Sequence, residues 1–196
     1  MALSHLGSSK EIANISTENS SEANVMRRFF DNARKEVFED YDWPFSIRHH
    51  IALTQLEEDP NDAWGYSYAW PSDTLKISEI WSGIRKETRQ SQVNFEIAFT
   101  GSAKIIYTDE KDALCNVISD VTETELYPAS FSQALAMKLA VYGAPRLTGG
   151  DPFKLQEKMI QLYTFQISRA AANAYNEQGS HEEVASELER ERNADT

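Results

Sequence analysis

The spacing of apolar residues predicts a long amphipathic helix near the start of the chain. Apolar positions recur every three or four residues, which is the period of an α-helix. The stripe consists of Met26, Phe30, Ala33, Val37 and Tyr41. Ser20 or Ser21 is placed to cap the helix, and Pro44 disfavours helical backbone at the residue before it. We therefore expect a helix over 21–42, preceded by a short helix over 2–7. Where the long helix ends and the sheet begins, Trp43 and Phe45 are expected to pack into the core, with Pro44 enforcing the break.

After Pro44 the pattern changes from a helical period to an alternating one. Apolar and polar residues alternate over 47–53, 64–70 and 93–99, and further extended candidates lie at 75–81, 104–108 and 114–121. Alternation with a period of two indicates strands that bury one face. The stretches TGSA and DEKDA have the composition of tight turns between the later strands. We therefore expect an antiparallel sheet over about 46–121.

The helical period returns after residue 128 and predicts two further helices. Ser130 and Gln133 have the spacing of a capping box, and Gly143 followed by Pro145 is a stop signal, so the first helix is expected over 129–143.

The second of these helices is expected over 151–176, with Asp151 as its N-cap and Pro152 in its first turn. A connection of about seven residues joins two adjacent helices in antiparallel orientation.

The final 20 residues differ from the rest in composition. Seven acidic residues and two arginines give this segment a net charge of −5, out of −12 for the whole chain. Its apolar residues are Val184, Ala185 and Leu188. Such a segment does not bury enough surface to hold itself in place, so it is either a disordered tail or a segment that waits for a partner.

Together the elements predict an α+β fold: a bundle of about four helices packed with a central antiparallel β-sheet insertion, plus an extended C-terminal tail. A chain of 196 residues with 41% hydrophobic content suits one folded domain, expected over 1–178, with the acidic tail at 179–196. Cys115 is the only cysteine, so no internal disulfide forms and we expect a small buried hydrophobe there.

Charge and hydropathy weigh against two classes of function. A net charge of −12 disfavours conventional nucleic-acid binding, because neutralising phosphates requires a basic face. The apolar runs are far shorter than the roughly 20 residues of a membrane span, and the N-terminus lacks the pattern of a signal peptide. We expect a soluble, unexported chain.

The sequence contains none of the familiar catalytic or phosphate-binding motifs, so we expect no catalytic, metal-binding or cofactor-binding residues. His49 and His50 are adjacent on a predicted strand, where neighbouring side chains point to opposite faces and do not converge on one metal ion.

A group of carboxylates leaves a second interpretation open. Glu57, Glu58, Asp59 and Asp62 precede the aromatic run WGYSYAW. Paired carboxylates beside aromatic rings suit a glycoside hydrolase. The Pro-Asn composition of the segment LEEDPND instead favours a solvated loop between two strands.

Arg85, Lys86 and Arg89 concentrate positive charge in the stretch SGIRKETRQ, which we interpret as an exposed hairpin tip. Three cations are too few for autonomous DNA binding. In a ring of many copies, the same tip is suited to contact DNA or an acidic neighbour.

The order of these segments resembles the head-to-tail adaptor family of tailed bacteriophages, the head-completion or tail-tubular-like proteins beneath the portal. The stretch SEANVMRRFFDNARKEVFEDYDWPFSIRHHIAL is similar to the family's second helix, which ends in a Trp-x-Phe signature and runs into the first strand. The resemblance covers about residues 2–176 and extends to four further stretches: ALSHLGSSKEIANI, YSYAWPSDTLKISEI, FEIAFTGSAKIIYTDEKDALCNVISDV and YPASFSQALAMKLAVYGAPRLTGG.

The resemblance implies a structural protein of the virion neck, present in the host cytoplasm during assembly, and not an enzyme. A ring of about twelve copies docks on the portal protein, extends the DNA channel without binding DNA specifically, and offers a platform to the tail nozzle or terminator protein. No membrane is involved. In the family the C-terminal segment often reaches the portal, so we expect portal contacts from Glu182, Glu183, Val184, Glu187 and Leu188. The alternatives are a cell-wall glycan hydrolase of the phage tail, based on Glu57, Glu58 and Asp59, and a free-standing host regulator.

Overall fold

The structure is a computed structural model that describes residues 1–84, 91–101, 103–151 and 153–177. Its helices are α1 (Ala2–His5), α2 (Ser21–Asp40), α3 (Ala129–Leu147) and α4 (Leu155–Glu177). Its strands are β1 (Ile47–Ala52), β2 (Gln55–Asn61), β3 (Trp64–Ala69), β4 (Thr74–Ile80), β5 (Phe95–Thr100), β6 (Ala103–Thr108) and β7 (Leu114–Ser119). The predicted α+β class is confirmed.

The β region consists of two antiparallel sheets. One has three strands in the order β1-β7-β4, and the other has four in the order β2-β3-β6-β5. They share a core to which Tyr68 and Ile106 contribute from one sheet and Ile80, Cys115 and Val117 from the other. Cys115 is fully buried, as expected, and burial raises the pKa of its thiol to about 11.

The helices form a second core against the other face of the three-stranded sheet. Val37 and Phe38 of α2 pack there with Phe131 of α3, and Ile118 of β7 belongs to the same cluster. Because β7 contributes to both cores, it joins the helical layer to the β region.

The prediction that α3 and α4 pack antiparallel is confirmed. The amide of Gln166 donates to the carbonyl of Ser130 at 3.2 Å, and the ammonium of Lys138 lies 4.7 Å from the centre of the Tyr163 ring. The later residue in α3 therefore contacts the earlier residue in α4, which is the antiparallel arrangement. Residues 148–154 make the connection.

Trp43 and Phe45 build the junction between α2 and β1. Trp43 is 2% exposed, and its indole N–H donates to the carbonyl of Val37 at 2.8 Å. The Phe131 ring lies 5.1 Å from the Trp43 ring and 5.2 Å from the Phe45 ring. Pro44 opens a short 3₁₀ turn, Pro44–Ser46, that leads directly into β1. This junction was predicted from the proline and its aromatic neighbours.

The start of α2 was predicted correctly, and its end lies two residues earlier than expected. Ser20 is the N-cap, and its hydroxyl accepts from the N–H of Ala23 at 3.2 Å. The helix ends at Asp40, and the cap residue Tyr41 is already extended.

Two predictions about α3 were wrong. Pro128 occupies the N-cap with extended backbone, so Ser130 lies within the helix and forms no capping box. The helix also continues past Gly143 and Pro145 to Leu147. Gly143 serves packing instead, because a Cβ atom there would lie 3.0 Å from the Met26 side chain.

The start of α4 was also predicted too early. Asp151 has a φ of +63° and precedes the helix, which begins at Leu155. Its carboxylate still satisfies the first turn, since it accepts from the N–H groups of Leu155 at 2.7 Å and Gln156 at 2.9 Å.

The segment LEEDPND, interpreted as a loop, forms most of β2. Glu57 pairs with Ser67 and Glu58 with Tyr66 of β3. The strand lies at the edge of its sheet with nearly every residue exposed. Because neither face is buried, the sequence carries no alternation, and the strand was missed.

Candidate interaction surfaces

Two predicted sites lie outside the described residues. The basic tip of Arg85, Lys86 and Arg89 is one of them. The other is the predicted portal-binding group, which consists of Glu182, Glu183, Val184, Glu187 and Leu188. Both assignments stay predictions.

The candidate hydrolase carboxylates lie along β2. Glu57, Glu58 and Asp59 are all exposed, and Asp59 has a φ of +51° where the pairing with β3 shifts register. A glycosidase acid normally needs an apolar environment that holds its proton. Charges, a bulge and Pro60 on an edge strand instead discourage pairing with another chain.

His49 and His50 do not follow the expected alternation of faces. The pairing of β1 with β7 shifts register between Arg48 and Ile51, and His50 has a φ of +54°. The imidazole centres are 6.2 Å apart, and the ring of His50 lies 4.5 Å from that of Trp81. Among the described residues, no group of three or more His, Cys, Asp or Glu side chains is placed to hold a metal ion.

The other edge of the four-stranded sheet, β5, is apolar. Phe95 packs against the β core, but Ile97 is 42% and Phe99 71% exposed. The alternation over 93–99 predicted one buried face, and that prediction is wrong for the second half of the strand. The ammonium of Lys104 lies 4.7 Å from the Trp70 ring and 6.0 Å from the Phe99 ring. The β5 edge is therefore an open apolar surface with the Lys104 ammonium at its end.

A network of polar side chains crosses the three long helices. The Lys138 ammonium of α3 contacts Glu36 at 2.9 Å and Asp40 at 3.2 Å on α2. The Tyr163 hydroxyl of α4 donates to Asp40 at 2.7 Å, and the Tyr142 hydroxyl donates to Glu36. The network was not predicted from the sequence, because it joins side chains from three helices that are far apart along the chain.

The electrostatics of this network favour a structural role. Burial raises the pKa of Tyr142 to about 12, and the Glu36 carboxylate adds to the effect. Burial and Asp40 also raise the pKa of Tyr163. For Lys138 burial acts to lower the pKa, but its bonds to Glu36 and Asp40 outweigh burial and raise it. The protons of Lys138, Tyr142 and Tyr163 are thus held more tightly than usual, which suits contacts that hold the helices together better than a proton-transfer site. We call the five residues of this network the clamp.

A buried arginine ties α2 to the end of β7. Arg34 is 5% exposed, and its guanidinium lies 3.1 Å from the Asp120 carboxylate and 3.4 Å from the carbonyl oxygen of Val121. Asp120 directly follows β7, so the pair fixes the helical layer against the three-stranded sheet.

An apolar groove of about 570 Å³ runs beside α1. Leu3, Ile12, Met26, Phe30 and Leu139 line it, together with Lys10, which pairs with Glu22 at 2.6 Å. These residues are typical of an incompletely filled core, and they form no cluster of catalytic side chains.

No family model and no curated protein matches the chain. None of the described helices has the length and apolar character needed to cross a membrane.

Proposed function

We propose that the protein is a structural adaptor in the neck of a tailed bacteriophage. Copies of the chain form a ring beneath the portal, and the ring extends the DNA channel and offers a platform for tail attachment. The proposal rests first on the resemblance of the motif order to the head-to-tail adaptor family. The junction in which α2 is followed by Trp43 and Phe45 and then by β1 is the element of the fold on which that resemblance depends most.

The observation that carries the proposal is the exposed apolar edge of β5. Phe99 is 71% exposed near the end of β5. Within residues 95–100, Glu96 is the only charged residue and no proline is present, so little in this strand discourages contact with another chain. The opposite edge, β2, is acidic and contains Pro60. A chain with two unlike edges is suited to contacts between different surfaces of neighbouring copies, and such contacts generate rings when the rotation closes.

The charge of the chain suits a channel through which DNA passes. At −12 per copy, a ring of these chains would carry a strongly negative field. Such a field repels phosphate, so the genome slides through the ring and is not held by it.

The proposed portal contact lies in the C-terminal segment. Val184 and Leu188 supply the apolar anchors, while Glu182, Glu183 and Glu187 face basic residues of the portal. The segment orders when it binds, which lowers affinity per unit area but allows a long surface to be contacted.

Co-purification with the portal protein tests this assignment. We expect a tagged portal to retain the full chain and to lose the variant that lacks residues 180–196. Far-UV circular dichroism of the truncated variant should match the full chain in its melting temperature. Retention of the truncated variant at the level of the full chain would exclude the segment as the portal contact.

A further inference from the structure

The outer side of α4 carries an exposed stripe with an apolar centre and positive ends. Lys158, Leu162, Phe165 and Arg169 follow one another at spacings of four, three and four, so they share one side of the helix. Leu162 is 37% and Phe165 67% exposed. We call these four residues the α4 stripe. A separate set of residues, Met159, Tyr163, Gln166 and Ala170, forms the buried side of the helix.

The α4 stripe combines exposed apolar side chains with positive charge. Neither Lys158 nor Arg169 forms an ion pair with any residue in the described part of the chain. Two unpaired cations beside exposed Leu and Phe side chains, in a chain of net charge −12, fit an acidic segment with apolar residues at helical spacing.

The same chain contains a segment with this chemistry. Val184 and Leu188 are four residues apart, and acidic residues surround them in the stretch SHEEVASELERER. Ser180 and Glu183 have the spacing of a capping box, and Gly179 precedes them as a residue suited to a turn after a helix. The sequence of 180–192 therefore predicts an acidic amphipathic helix.

We propose that residues 180–192 fold back onto the α4 stripe of their own chain. Leu188 then covers Phe165 and contacts Leu162, while Val184 lies beside Arg169 and Glu187 approaches the Arg169 guanidinium. The distance permits this arrangement. Phe165 lies 12 residues before Glu177, or about 18 Å along the helix. Residues 178–180 span up to about 10 Å when extended, and the predicted helix from Ser180 to Leu188 adds about 12 Å.

Docking in cis gives the tail a place to bind before any partner arrives. One consequence rests on the proposed function. If Val184 and Leu188 also contact the portal, the portal competes with the α4 stripe for these two residues. The docking itself requires no portal and is tested on the isolated chain.

Hydrogen–deuterium exchange of the full chain, read by mass spectrometry, tests the docking. We expect the amides of residues 182–190 to exchange at least about tenfold more slowly than in the free peptide of the same sequence. The double variant Leu162→Ser with Phe165→Ser should exchange at the rate of the free peptide. Ile160→Ser is the matched control, because Ile160 is 48% exposed on the same helix but lies off the stripe.

Charge exchange provides a second arm that does not depend on apolar contacts. Arg169→Glu should lose most of the protection, and adding Glu187→Arg to it should restore protection. Three results would overturn the proposal: tail amides that exchange like the free peptide in the unmodified chain, protection that survives the double stripe variant, or protection that rises with protein concentration. The last result would assign the contact to a second copy.

Discussion

Replacing Trp43 by alanine should remove a large part of the stability of the fold. The side chain is 2% exposed, so almost all of its surface is withdrawn from water. A buried aromatic ring covers roughly 200 Å², which at about 25 cal/mol per Å² corresponds to about 5 kcal/mol as an upper value. The variant also leaves the carbonyl of Val37 without its indole donor, at a further cost of about 1 kcal/mol.

Alanine retains part of the apolar area, so we expect a loss of about 4 kcal/mol, within the measured range for Trp→Ala in protein cores. A domain of this size has roughly 5–15 kcal/mol to lose. Trp43→Phe keeps a ring between Phe45 and Phe131 and should cost only about 1–2 kcal/mol, mainly through the lost hydrogen bond and volume.

Urea denaturation followed by far-UV circular dichroism measures both losses. Trp64→Ala is the matched control, since Trp64 is only half-buried at the start of β3 and its replacement should cost about 1 kcal/mol. The structural role of Trp43 would be refuted by a loss below about 1 kcal/mol for Trp43→Ala, or by a loss no greater than that of Trp64→Ala.

Three further predictions concern packing, pH and assembly. Gly143→Ala should change the free energy of unfolding by no more than about 1 kcal/mol, since the better helix propensity of alanine offsets its close contact with Met26. Gly143→Leu should cost about 2–3 kcal/mol in urea denaturation. Equal losses for the two variants would contradict the packing of Gly143 against Met26. The raised pKa of Tyr142 means that the unfolded chain releases this proton first. The free energy of unfolding should therefore fall as pH rises from about 10 to about 12, and it should fall less steeply in Tyr142→Phe. Equal slopes for the unmodified chain and the variant would argue against the bond between Tyr142 and Glu36. Phe99→Glu should leave the melting temperature unchanged but reduce ring assembly on the portal in negative-stain images; Leu56→Glu, on the opposite edge, should not, and normal assembly of Phe99→Glu would remove β5 from the interface.

Local signals of the sequence predicted most of the elements and the aromatic junction. Ser20 caps α2 because its hydroxyl needs only a backbone donor three residues away. Trp43 and Phe45 were assigned to the core because Pro44 forces the helix to end between two large rings. Such signals act over a few residues and are therefore visible without the fold.

The errors arise where distant parts of the chain decide the outcome. Gly143 looked like a stop signal, but the helix continues through it, and the Met26 side chain of α2 packs 3.0 Å from where a Cβ atom would lie. The strand β2 leaves no trace in the pattern because it buries neither face. Phe99 appeared to belong to a buried face, although its strand extends beyond the core. The clamp formed by Glu36, Lys138 and their tyrosine partners depends on three helices meeting.

The proposed adaptor function requires this chain to form a ring on the portal. Negative-stain imaging of the purified protein mixed with its proposed partner, the portal protein, tests this function directly. We predict class averages in which a ring of added density with a central channel covers the tail-facing end of the portal, with rotational symmetry that matches a closed assembly. Portal particles that remain unchanged at saturating protein would contradict the adaptor function.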